Sequence, residues 1–151
     1  RMLKRFREVF QPTWEQELLT RKRSVGEAVI MASIVEREVR GEEDRAVVAG
    51  IFYKRLKAGW RLEADSTLNY VTGRGSPSLS AEELAMDSPY NSYRYGGLPP
   101  TPISNPGESA LRAAVYPKES PYWFFLTTPS GQVIYSKTFA EHTLAKQRYL
   151  R

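Results

Sequence analysis

An α+β fold, mainly helical with one small antiparallel sheet near the C-terminus, is what this 151-residue chain predicts. Three observations carry that expectation. Ser24/Glu27, Ser80/Glu83 and Thr138/Glu141 are capping boxes, each opening a run of helix-forming residues. YWFFLT (Tyr122–Thr127) and QVIYS (Gln132–Ser136) flank Pro129-Ser130-Gly131, a hairpin spanning about residues 121–136. No internal repeat, and no apolar run approaching the ~20 residues of a membrane span, points to another class.

Taken in order, residues 1–10 read as an amphipathic helix stopped by Gln11-Pro12, and Thr13 is placed to cap a second helix to about Leu19. Ser24 opens a third, expected to run to Arg40 and end at Gly41. Residues 42–58 begin in Glu42-Glu43-Asp44 and finish with Lys54, Arg55 and Lys57, charges that suit the two ends of a helix dipole. Arg61–Ala64 reads as a short extended piece, Asp65 or Ser66 as the cap of a two-turn helix to Thr72, and Gly73–Pro77 as a loop. After a brief helix at Ser80, Asp87–Gly107 holds five of the ten prolines and no periodic apolar pattern, which predicts a long ordered loop. Glu108–Tyr116 is helical, and Thr138 opens a terminal helix to Arg151. One domain over 1–151 accommodates all of this, with residues 1–23 as a basic helical entry segment.

That entry segment carries most of the formal charge of +5, having seven basic side chains against three acidic ones. The near-neutral remainder argues against a nucleic-acid-binding face. Zero cysteines and a single histidine, His142, exclude thiolate nucleophiles, Cys-based zinc sites and multi-histidine metal centres. The chemistry that remains rests on carboxylates, hydroxyls and basic groups, with no metal or organic cofactor called for.

One carboxylate breaks its own pattern. At about 100° per residue, Val25, Ala28, Val29, Ala32, Val35 and Val39 share a helix face, and Glu36 falls inside it while Arg37 and Glu38 point elsewhere. A carboxyl group among Val and Ala is desolvated and its pKa raised, as a general acid near neutral pH requires; the bland alternative is a structural ion pair with an arginine. Ile30 and Ile34 lie opposite, so the helix is also compatible with burial all round. Acidic partners are Glu63 and Asp65 in RLEAD, and Asp87, though Asp65 also reads as a helix cap and Asp87 as a turn residue. In the proline-rich loop, Tyr90, Tyr93 and Tyr95 supply amphipathic rings, Asn91 and Asn105 supply amides, and Gly96-Gly97 permits close backbone approach. That mixture suits a carbohydrate, and a plain turn-rich loop is the alternative.

The strings ASIVERE (Ala32–Glu38), VAGIFYKRL with AGWRLEAD (Val48–Asp65), SPYNSYRYGGLPPTPISNPG (Ser88–Gly107) and YSKTFAEH (Tyr135–His142) resemble the MltG/YceG-like endolytic murein transglycosylases over essentially the whole chain. The resemblance implies a peptidoglycan-cleaving catalytic domain, normally preceded by a membrane anchor and a LysM-like region, neither of which is in this chain. It implies work at the extracytoplasmic face of the bacterial cytoplasmic membrane, with penicillin-binding proteins and other cell-wall synthases as candidate partners. The family's single catalytic glutamate maps onto Glu36, and Asn91 and Asn105 match groove positions that contact sugar; Tyr90, Tyr93, Glu63 and Asp65 are the further candidate substrate-binding residues, read from the loop and the RLEAD segment. Where the family usually reads LQ-x-DPT, this chain reads LEADST, with Glu63 for Gln and Ser66 for Pro. The implied reaction is non-hydrolytic cleavage of the MurNAc-β-1,4-GlcNAc bond to a 1,6-anhydro end. Its rivals are a hydrolase using Asp65 or Glu63 as second carboxylate, and a catalytically silent peptidoglycan-binding module.

Overall fold

The computed structural model describes residues 2–75 and 78–150. Arg1 of the basic segment, Ser76-Pro77 of the expected loop and Arg151 of the terminal helix lie outside the described residues. The order is α1 (Met2–Val9), α2 (Pro12–Thr20), α3 (Val25–Glu38), α4 (Glu42–Lys57), α5 (Asp65–Thr72), α6 (Ala81–Ala85), α7 (Glu108–Val115), β1 (Phe124–Thr127), β2 (Val133–Ser136) and α8 (Phe139–Tyr149). The expected class, α+β with a C-terminal hairpin, is the observed one.

Local chemistry explains most boundaries. All three capping boxes form with both reciprocal hydrogen bonds, at Ser24/Glu27, Ser80/Glu83 and Thr138/Glu141. Three ends differ from expectation. Gln11, not Thr13, is the N-cap of α2, because Pro12 sits at N1, where its missing N–H costs nothing. Ala64 precedes the first turn of α5, so Asp65 is inside the helix and its carboxylate is free for another partner. α3 stops at Glu38, two residues short of Arg40, as Val39 turns extended (φ −142°, ψ 154°) and buries its side chain.

α3 is the central element, packed against α2, α4, α5 and α7. Its Ala28 and Ala32, with Ala49 of α4 and Ala110, Ala113 and Ala114 of α7, keep the helices close, while Met31, Ile34, Val35, Val48 and Phe52 fill the space between. The chain after α7 crosses α4 at Gly50, where an added Cβ would stand 2.0 Å from the Lys118 carbonyl oxygen, and the Lys118 N–H donates to the Ala46 carbonyl at 2.9 Å. In the basic entry segment, Phe6, Phe10 and Trp14 form a ring ladder that ends on Tyr116 beyond α7. Only one side of the segment thus faces water: Phe10, Trp14 and Leu18 belong to the core.

β1 and β2 pair antiparallel with Phe124 opposite Ser136 and Thr127 opposite Val133. The turn closes through Gly131 at φ 89°, a left-handed position that a side chain would strain. α8 packs back across this hairpin, and none of the described helices is long and apolar enough to cross a membrane.

Candidate active site

A cleft of about 620 Å³ runs between the C-terminal end of α3, the RLEAD strap, β1 and α8. Glu38, Arg55, Glu63, Asp65 and Tyr93 line one side, and Phe124–Pro129 with His142 and Lys146 line the other. Past the last turn of α3 it adjoins a hollow of about 530 Å³ between Glu36, Glu38 and the hairpin turn at 127–131.

Glu38, the last residue of α3, has one face open to this cleft and accepts a hydrogen bond from the Ser66 hydroxyl at 2.6 Å and a longer one from the Ser66 N–H at 3.4 Å. Burial pushes its carboxyl above the ordinary glutamate range; the Ser66 hydrogen bonds oppose the shift, the neighbouring Asp65 carboxylate adds to it, and Arg55 opposes it weakly. Its position at the negative end of the helix dipole acts in the same direction as burial. Asp65 is pinned by the Tyr93 hydroxyl, which donates to Oδ1. Burial and that donation to an anion raise the pKa of Tyr93, so the phenol stays protonated and the hydrogen bond is kept.

The strap that carries Glu63 and Asp65 is clamped from several directions. Arg55 is only 5% exposed; its Nη1 donates to the Leu62 carbonyl at 2.5 Å while Nε and Nη2 both donate to the Trp123 carbonyl. The Glu63 and Ala64 N–H groups donate to the Ser92 carbonyl and hydroxyl, and Thr67 donates to the Ala64 carbonyl. These ties hold Glu63 at φ 53°, a left-handed conformation uncommon for a residue with a side chain, and its carboxylate is exposed at the cleft.

Glu36 does not have the apolar surroundings its helix face predicts. It is ion-paired with Arg45 Nη2 at 3.1 Å and accepts the Gly107 N–H at 3.1 Å, with its side chain 28% exposed. The arginine pair weighed as its bland alternative is therefore present. Glu38, expected to point away from the apolar face, is the carboxyl whose pKa burial raises, although both glutamates are only half-buried. The physical reason is that α3 is enclosed on several sides, so the face that a helical wheel assigns to solvent meets α5 and the strap.

The loop residues divide. Tyr93 reaches the cleft through Asp65. Asn91 does not contact a groove: it is 0% exposed, its Nδ2 donates to the Leu84 and Met86 carbonyls at 3.0 and 2.9 Å, and its Oδ1 accepts the Tyr93 N–H at 3.0 Å. Every polar atom of the amide is used inside the loop, which corrects the expected sugar contact. Tyr90 shares a hydrogen bond with Thr101 at 2.7 Å and tilts against Tyr70, away from the cleft lining. Asn105 is exposed on the stretch that Ser33 and Glu36 tie to α3, on the Glu36 side. Glu63, Asp65 and Tyr93 thus come together around Glu38; Glu36 stands with Glu38 at the adjoining hollow, and Tyr90, Asn91 and Asn105 line neither. Sequence reasoning missed Glu38, Arg55, His142 and Lys146; the second glutamate of ASIVERE and the lone histidine of the tail were the visible signals.

The model of the YceG-like family matches residues 1–148. An endolytic murein transglycosylase of Bacillus subtilis is 38% identical over 138 residues, covering 91% of this chain and 38% of that protein. One of Streptococcus pneumoniae serotype 2 is 33% identical over 125 residues, covering 79% of this chain and 23% of that protein. The crystal structure of a YceG-like protein from Listeria monocytogenes superposes with a TM-score of 0.82 at 42% identity, covering 89% of this chain and 44% of that one. The chain spans well under half the length of these relatives, yet the family match runs through nearly all of it, over the same strings that build the cleft. The chain belongs to the YceG-like family.

Proposed function

We propose that this domain is the cleaving part of an endolytic peptidoglycan lytic transglycosylase acting on the MurNAc-β-1,4-GlcNAc bond, with Glu38 as general acid and then base. The observation that carries the reading is a carboxyl group with a raised pKa, open to a cleft and held by Ser66. Protonated Glu38 gives its proton to the glycosidic oxygen as the bond from that oxygen to the muramyl anomeric carbon breaks. The muramyl 6-hydroxyl then bonds to the anomeric carbon, and its proton returns to Glu38, which closes a 1,6-anhydro ring and restores the acid. The attached hydroxyl has an effective concentration on the order of 10⁵ M or more when aligned, which lets it compete with water. Asp65, held in place by the Tyr93 hydroxyl, sets its carboxylate oxygens near the positive charge that develops on the sugar. The substrate's location puts the reaction outside the cytoplasmic membrane.

One observation favours a second reading. Glu63 and Asp65 add two carboxylates to the same cleft, and either could activate water, making the domain a hydrolase. Digestion of purified peptidoglycan in oxygen-18 water separates the two. Unlabelled anhydro-muramyl ends, lighter by one water, are expected; labelled reducing ends as the main product would overturn the transglycosylase in favour of the hydrolase. The rate should also fall on the alkaline side as Glu38 loses its proton, at a pH above the ordinary glutamate range, and Glu38→Gln should abolish it.

A further inference from the structure

We infer that the α8 wall of the cleft is a subsite for a carboxylate of the peptide that hangs from the muramyl lactyl arm, with Lys146 as its cationic anchor. The inference rests on the peptidoglycan reading and names what that substrate offers besides sugar. The two walls of the cleft differ in charge. Glu38, Glu63 and Asp65 stand on one side with Arg55, whose Nε, Nη1 and Nη2 all donate to backbone carbonyls; on the other, the Lys146 side chain lines the cleft and makes no ion pair or hydrogen bond among the described residues. The sugar rings of the glycan are uncharged, so a cation facing the cleft has nothing to pair with on them. Only the lactyl arm and its peptide carry anionic groups.

The surroundings of Lys146 fit a peptide better than a sugar. Phe139 and Leu150 are 67% and 48% exposed on the same wall, apolar contacts of the size of short aliphatic side chains. His142, one turn before Lys146, stacks on Phe124 with ring centroids 5.3 Å apart and is 9% exposed. Burial, Lys146 and Arg55 push its pKa down to about 4, so the imidazole lines the cleft as a neutral hydrogen-bonding group and adds no charge that competes with the ammonium. Its Nδ1 is enclosed without a hydrogen-bond partner among the described residues, so the ring meets the cleft by its other atoms. An unpaired cation, exposed apolar groups and a neutral imidazole along the three turns of α8 and its C-cap match an extended chain that carries carboxylate, methyl and amide groups.

The test measures binding, so that it stands apart from cleavage. Soluble uncross-linked glycan strands are offered to the Glu38→Gln protein in three forms: with intact peptides, with the peptide carboxylates converted to amides, and stripped of peptides so that the lactyl carboxylate is bare. The intact strand should bind about tenfold tighter than the amidated one, the advantage expected of one charge-assisted contact in a partly desolvated cleft. Lys146→Met should remove that advantage and leave amidated-strand binding unchanged, while Lys146→Arg should keep most of it. Equal affinity for intact and amidated strands, or a Lys146→Met protein that loses both alike, overturns the inference. So does a stripped strand that binds as tightly as the intact one through Lys146, since the carboxylate read is then the lactyl one. Failure of all three strands to bind the unsubstituted and variant proteins alike would overturn the peptidoglycan reading itself.

Discussion

Replacing Asn91 by alanine should cost this domain a large part of its stability rather than its affinity for glycan. The amide is completely enclosed and makes three hydrogen bonds, to the carbonyls of Leu84 and Met86 and from the N–H of Tyr93. Alanine leaves the Leu84 carbonyl and the Tyr93 N–H without that partner, while the Met86 carbonyl keeps the Ser88 N–H at 3.2 Å. Each buried polar group deprived of its hydrogen bond costs about 1–3 kcal/mol, and the lower end applies where water can reach the loop, so a total of about 2–4 kcal/mol is expected. That is a sizeable share of the roughly 5–15 kcal/mol that holds a domain folded. Asn91→Asp should be at least as damaging at neutral pH, because a carboxylate presents acceptors to two carbonyls; its deficit should shrink on acidification, when a protonated carboxyl regains one donor. Urea unfolding of the two variants and the unsubstituted protein, with equal slopes, measures the loss as a shift in midpoint. If Asn91→Ala instead stays within about 1 kcal/mol of the unsubstituted protein and binds glycan tenfold more weakly, the amide faces substrate and the assignment to the loop's interior is wrong.

Gly50→Ala should lose about 3 kcal/mol or more, because its methyl group would meet the Lys118 carbonyl oxygen at 2.0 Å and relief requires breaking the Lys118 to Ala46 hydrogen bond; an unchanged melting temperature would contradict the crossing. Glu36→Gln removes the charge from the Arg45 pair, so it should cost about 1 kcal/mol and leave turnover within a few-fold, while Glu38→Gln loses about 10²-fold or more; the reverse ranking in folded protein would return the acid's role to Glu36. His142 has a folded pKa of about 4 against 6.5, so its contribution is complete above 6.5 and is lost as the pH falls towards 4, at most about 3 kcal/mol. His142→Gln should flatten the stability profile across that window, and an unaltered acid slope would refute the shift.

What the sequence by itself determined is what short-range chemistry decides. The three capping boxes, the Pro12 stop, the hairpin around Gly131 and the alternation of elements rest on groups a few residues apart, and the structure has them where the sequence puts them. Family membership was legible for the same reason, being written in contiguous strings. Tertiary structure alone decided what surrounds each carboxylate. A helical wheel needs one wet side to rank Glu36 above Glu38, and α3, packed among α2, α4, α5 and α7, does not offer the one assumed. Glu38 acquires its character from Ser66 and Asp65 gains its partner from Tyr93, in both cases 28 residues along the chain. Asn91 turned inward because the loop needed its amide for backbone groups that no helix or strand satisfies. The facing wall, with His142 and Lys146, exists only because α8 folds back over β1, a placement that depends on burying the hairpin's apolar face and that no local pattern encodes.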